Sequence, residues 1–137
     1  MIEVTLSRLL ALIRKRPLMY LDEAKATRLE AFILGFVFAE AARNDDLSRH
    51  ILGNSVYHEF RLWLVDRIKP KTRDDVTGTL ITCMANWLIE YTGSEEKAFD
   101  KFFELYEEFV KTHDVGMETL EEAQAFLDEY HRGSREK

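Results

Sequence analysis

The sequence predicts an all-α protein, a compact bundle of about six helices packed in layers around a single core. Three observations support this. Apolar residues recur at three- and four-residue spacing along most of the chain, the signature of a helix with one buried stripe. Only two prolines and six glycines interrupt the 137 residues, too few for a loop-rich or all-β design. The hydrophobic share of 46% and charged share of 32% are those of an ordinary globular protein. One domain over residues 1–133 with a short polar tail at 134–137 is expected, and its size needs no disulfide or metal to fold.

The first helix is expected over Glu3 to Arg16, with Leu6, Leu9, Leu10 and Ile13 on one face and Arg14, Lys15 and Arg16 at the end that favours cations. Pro17 stops it. The apolar stretch from Pro17 to Leu21 reads as a loop with its side chains tucked beneath neighbouring helices. Thr27 and Glu30 have capping-box spacing for a second helix reaching about Arg43. That helix is apolar on nearly every side, which predicts deep burial, and Gly35 in its middle predicts a close helix crossing.

A short turn is expected over Asp46 to Leu52, ended by Gly53. The third long helix spans about Ser55 to Lys69, with Val56, Phe60, Trp63, Leu64 and Ile68 inward, and Pro70 closes it. Asp74 or Asp75 caps a fourth helix through Tyr91. Its β-branched residues at 76–82 leave helix or strand open, although helical spacing fits better. Ser94 restarts the chain. Ala98, Phe99, Phe102, Phe103, Tyr106, Phe109 and Val110 then share one face through about Thr112, the clearest helix in the sequence. Thr119 and Glu122 form a second capping box, before a last helix ending near Gly133.

The formal charge of −6 is unevenly spread. Ser94 to His131 holds 12 acidic residues against three basic ones, so this third of the chain carries the acidic excess. Such a surface repels nucleic acid and anionic membranes and attracts cations. Arg14 to Arg16, and the group Lys69, Lys71 and Arg73, are placed where helix dipoles alone account for them, so no nucleic-acid footprint is expected. No apolar run approaches the roughly 18 residues of a membrane span. A lone cysteine, Cys83, within an apolar segment, together with no signal-peptide pattern, points to the reducing cytoplasm.

Reactive signatures are missing. His50, His58, His113 and His131 show no metal-ligand spacing, and the pair Asp128 and His131 lacks the further ligands a site needs. Cys83 reads as an inert core thiol, and no nucleophile elbow or phosphate-cradling glycine loop occurs. The sequence therefore predicts no catalytic residue, no cofactor and no metal. A function in binding another protein remains.

One resemblance bears on that function. Lys15-Arg16-Pro17-Leu18-Met19-Tyr20-Leu21 is followed by Leu29-Glu30-Ala31-Phe32-Ile33-Leu34-Gly35-Phe36. The second half carries Trp87-Leu88-Ile89-Glu90 and the run from Glu95 to Leu105. Together these segments resemble small bacterial proteins associated with polymorphic-toxin and contact-dependent inhibition systems, where such proteins serve as immunity proteins. The matching motifs span most of the chain and are structural in kind. The resemblance implies an inhibitor that covers a toxin, with a cationic nuclease domain as one candidate. An acidic inhibitor is steered to such a cleft. Asp100, Glu104, Glu107, Glu108, Glu118, Glu121 and Glu122 are the expected docking residues. Two other classes stay open. One is a homo-oligomer pairing through an apolar strip near Trp63 or Trp87. The other is a small enzyme built on Arg16, Tyr20, His50 or His58. The sequence leaves the oligomeric state open.

Overall fold

The computed structural model describes residues 3–43, 56–71 and 83–135, and every regular element among these is helical. The expected turn at Asp46 to Leu52, the cap at Asp74 or Asp75, the choice at 76–82, His50 and the Cys83 side chain lie outside what is described.

Helix α1 (Leu6–Lys15) opens on Thr5, whose hydroxyl accepts a hydrogen bond from the Arg8 N–H at 3.2 Å. Its stripe of Leu6, Leu9, Leu10 and Ile13 is buried. Pro17 ends α1 and also begins the next element. A proline lacks the N–H that a first-turn position leaves unused, so it starts the one-turn helix α2 (Pro17–Tyr20). The expected tucked loop is thus corrected. On this single turn Leu18 and Met19 point outward, 71% and 62% exposed, while Leu21 is buried and Tyr20 packs edge-on against Phe32.

Helix α3 (Ala26–Arg43) corrects two further expectations. Thr27 lies inside its first turn instead of capping it, and its hydroxyl and N–H both donate to the Glu95 carboxylate. Gly35 is exposed, and among the described residues a Cβ built there would meet nothing within 4 Å, so no described helix crosses at that point. The helix buries one stripe, Ala26, Leu29, Ile33 and Val37, while Ala31 and Phe38 face outward, the latter 50% exposed. Uniform apolarity did not produce uniform burial, because only one side of the helix meets neighbours among the described residues.

Helix α4 (Val56–Ile68) turns Phe60 and Leu64 inward as expected, and also Tyr57, Arg61 and Val65. Val56, Trp63 and Ile68 are half-buried at the edge of that face. Helices α5 (Cys83–Thr92) and α6 (Glu95–Thr112) form the most extensive helix pair among the described residues. Gly93 joins them at φ 98°, a left-handed conformation that glycine adopts without a Cβ penalty. The Ser94 hydroxyl then accepts from the Lys97 N–H at 3.1 Å. The whole expected aromatic stripe of α6 is buried. Phe60 of α4 sits against it, with ring centroids at 5.4 Å from Phe102, 5.5 Å from Tyr106 and 5.6 Å from Phe109.

Helix α7 (Leu120–Arg135) begins with the predicted capping box. The Glu122 N–H donates to the Thr119 hydroxyl at 3.0 Å, and the Thr119 N–H donates to the Glu122 carboxylate at 2.9 Å. It packs along α1 through Ala11, Ala123 and Leu127. Ser7 ties this layer to the aromatic core, hydrogen-bonded to the Tyr106 hydroxyl at 3.0 Å and donating to the Glu118 carbonyl at 2.7 Å.

Two phenylalanines that the sequence alone treats alike should separate on truncation. Phe60→Ala should cost about 3–5 kcal/mol in urea unfolding, whereas Phe38→Ala should cost less than about 1 kcal/mol. Equal losses would contradict the core described above.

Candidate functional site

The acidic face of α6 follows from its aromatic one. With one stripe committed to the core, the remaining positions carry Glu96, Asp100, Glu104, Glu107 and Glu108 toward water. Asp100, Glu104, Glu107 and Glu108 line one shallow groove of about 520 Å³, with Phe103, Arg14 and Lys111 beside them. The structure brings these four of the seven expected docking residues together. Glu118, Glu121 and Glu122 do not line it and lie at the corner where α7 begins.

The seven carboxylates fall into two groups. Several complete the fold. Glu107 accepts hydrogen bonds from the Leu120 N–H at 2.5 Å and the Glu121 N–H at 3.1 Å, so it caps α7 from a neighbouring helix. Glu118 takes both Nε and an Nη of Arg8, at 2.9 and 3.3 Å. Glu108 pairs with Arg67 of α4 at 3.3 Å. Glu122 belongs to the capping box, where the Thr119 N–H and hydroxyl hold its carboxyl below the usual range. The others project. Asp100 and Glu121 are exposed and make no ion pair with any described residue, and Glu104 pairs with Lys101 on its own helix at 3.0 Å.

Sequence reasoning missed a buried polar centre. Glu30 of α3 and Arg61 of α4 are 3% and 2% exposed, inside the core. The Glu30 carboxylate accepts from the Met84 N–H at 3.0 Å, in the first turn of α5. Burial pushes its pKa up to about 7, against the pull of the Ala85 and Met84 N–H groups and the Arg61 charge. Tyr57 is fully buried beside them, and burial together with Glu30 drives its pKa well above the ordinary value, opposed by Arg61. The Arg61 guanidinium lies 5.7 Å from the Trp87 ring centre. The Tyr57 hydroxyl and the Trp87 indole N–H have no hydrogen-bond partner among the described residues. This centre can hold a proton, but its ionisable atoms are sealed from solvent. A charged residue on the stripe 57, 61, 64, 65 was the available signal, hidden because the inward face was read as 56, 60, 63, 64, 68.

The other residues considered from sequence are dispersed. Arg16 and Tyr20 line one groove between α1, α2 and α7, whereas His58 sits on α4 and is not among its walls. Trp87 is 1% exposed and cannot form an oligomerisation strip. No group of three or more potential metal ligands occurs among the described residues, and none of their helices is long and apolar enough to cross a membrane. Comparison with protein-family models, curated proteins and solved structures finds no match.

The Glu30 centre makes a pH prediction. The unfolded chain loses this proton near pH 4.5 and the folded chain near 7, so folding takes up a proton between these values. The contribution of Glu30 is therefore complete at low pH and lost as pH rises through that window, by about 3 kcal/mol. Glu30→Gln keeps an acceptor for Met84 and removes the titration. Urea unfolding from pH 4.5 to 7.5 should show the wild type losing stability relative to the variant as pH rises. Parallel profiles would refute the shift.

Proposed function

We propose that this chain is a protein-binding module of the immunity type, an inhibitor that docks a cationic partner against the outer face of α6. The supporting observation is the pair Asp100 and Glu104, one helical turn apart and both in solvent, on the groove floored by Phe103. Exposed carboxylates in a shallow groove suit a positively charged protein face. The charges speed encounter and select for a cationic partner.

Glu121 extends the negative field around the corner to α7, while Glu107, Glu108, Glu118 and Glu122 add charge from positions already held by the fold. Lys97, Lys101 and Lys111 share this side of α6 and dilute the field, so the docking surface is a narrow strip and not the whole flank. A nuclease toxin is a fitting partner, because a cleft that binds phosphate is cationic. The resemblance in the N-terminal motif points the same way. This reading needs no catalytic group, cofactor or metal on the inhibitor.

Reversing both projecting charges tests the reading. With a toxin domain whose growth inhibition this chain relieves in co-expression, Asp100→Lys combined with Glu104→Lys should slow association about tenfold or more at low salt and flatten its salt dependence. Both residues are exposed, so the variant should unfold at the same urea concentration as the wild type. An unchanged association rate, or the lack of any toxin domain that the chain protects against, would count against the proposal.

A further inference from the structure

The end of α1, the single turn of α2 and the second half of α7 enclose a groove of about 600 Å³, on a surface separate from the acidic strip of α6. Pro17 begins α2 directly after the C-cap of α1, and the groove lies where these two helices and α7 come together. The floor is apolar, made by Leu12, Leu127 and Tyr20, and the exposed Met19 stands at its edge. The rim is cationic, with Lys15, Arg16 and Arg132. Asp128 is the acidic side chain among the lining residues, and it is already engaged by Lys15 at 3.4 Å and Gln124 at 2.9 Å. Arg16 is exposed and makes no ion pair with any described residue. Leu18 and Met19, on the same turn, are among the most exposed large apolar side chains.

A chain of net charge −6 thus presents a local surface of the opposite sign with apolar area at its base. We propose that this groove docks a short acidic segment of a partner protein, with an apolar side chain on the floor and carboxylates against Arg16 and Arg132. Arginine suits that task, since its planar guanidinium receives a carboxylate through two parallel hydrogen bonds. Arg132 now pairs with Glu129 at 3.1 Å on its own helix, an exposed pair that an incoming carboxylate can replace at little cost.

Charge argues against a nucleic acid here. A polyanion gains affinity from many phosphates in succession, and Asp128 and Glu129 on α7, with Asp22 and Glu23 beyond α2, interrupt any extended positive track. A peptide with two or three carboxylates needs only the rim. A two-fold pair of copies meeting at this groove would bring two sets of rim cations together, which like-charge repulsion disfavours.

The test is a titration of the full ¹⁵N-labelled chain with a short synthetic peptide alternating leucine and glutamate, followed by amide chemical shifts. Shifts should concentrate at residues 12–20 and 124–132, and a peptide with lysine in place of glutamate should produce none. Arg16→Glu should weaken binding about tenfold or more, and Met19→Ala several-fold, with both variants folded as judged by their amide spectra. Asp100→Lys with Glu104→Lys should leave this binding unchanged, which separates it from the α6 reading. The proposal is overturned if the acidic peptide moves no groove resonance or if Arg16→Glu binds it equally well. It is also overturned if a single-stranded DNA oligonucleotide occupies the groove more tightly, or if raising the protein concentration alone reproduces the shifts, which would make a second copy the occupant.

Discussion

The packing of Phe60 against α6 is the contact around which the remaining structure is arranged. Phe102, Tyr106 and Phe109 lie on successive turns of one helix, and the Phe60 ring meets all three within 5.6 Å. That contact fixes which side of α6 is inside and therefore which side carries the carboxylates. It also joins α4 to the α5–α6 pair, and Tyr106 passes the connection on to Ser7 of α1. Large rings contribute most per residue to burial, and edge-to-face geometry adds specificity to it.

A second constraint operates at the helix ends. The first turn of a helix leaves backbone N–H groups without partners inside it. Three of these helices have such groups satisfied by a glutamate from another helix. Glu95 of α6 accepts from Thr27 in α3, Glu30 of α3 accepts from Met84 in α5, and Glu107 of α6 accepts from Leu120 and Glu121 in α7. Each bond places a carboxylate where the helix dipole favours negative charge. Part of the acidic surplus is therefore structural, linking helices by their ends as the aromatic stripe links them by their sides. The Thr27 bonds hold the Glu95 carboxyl below its usual range, whereas deeper burial drives Glu30 the other way.

These two constraints leave surfaces of opposite character. On α6, Asp100 and Glu104, which hold no other helix in place, reach solvent beside Phe103. At the α1–α2–α7 end, basic residues gathered at helix termini surround an apolar floor. Total charge describes neither surface, since electrostatic recognition depends on where charges stand and on whether the fold already pairs them.

The sequence by itself determined the helical class, the stripe of α6, the Ser94 start and the Thr119–Glu122 box, because each depends on spacing within a single helix. It also placed the acidic excess on the last third of the chain. Tertiary structure decided how each helix is rotated, which is why Tyr57 and Arg61 are inside while Phe38 and Gly35 are not. It decided too that Thr27 serves Glu95 and that Glu30 serves Met84, since these partners lie 68 and 54 residues apart. Among the seven expected docking residues, local pattern identified the charge, but only packing separated Asp100, Glu104 and Glu121 from those the fold retains. A helix's own periodicity records that it has an inner face, whereas the identity of its neighbours depends on contacts between distant segments that no local spacing encodes.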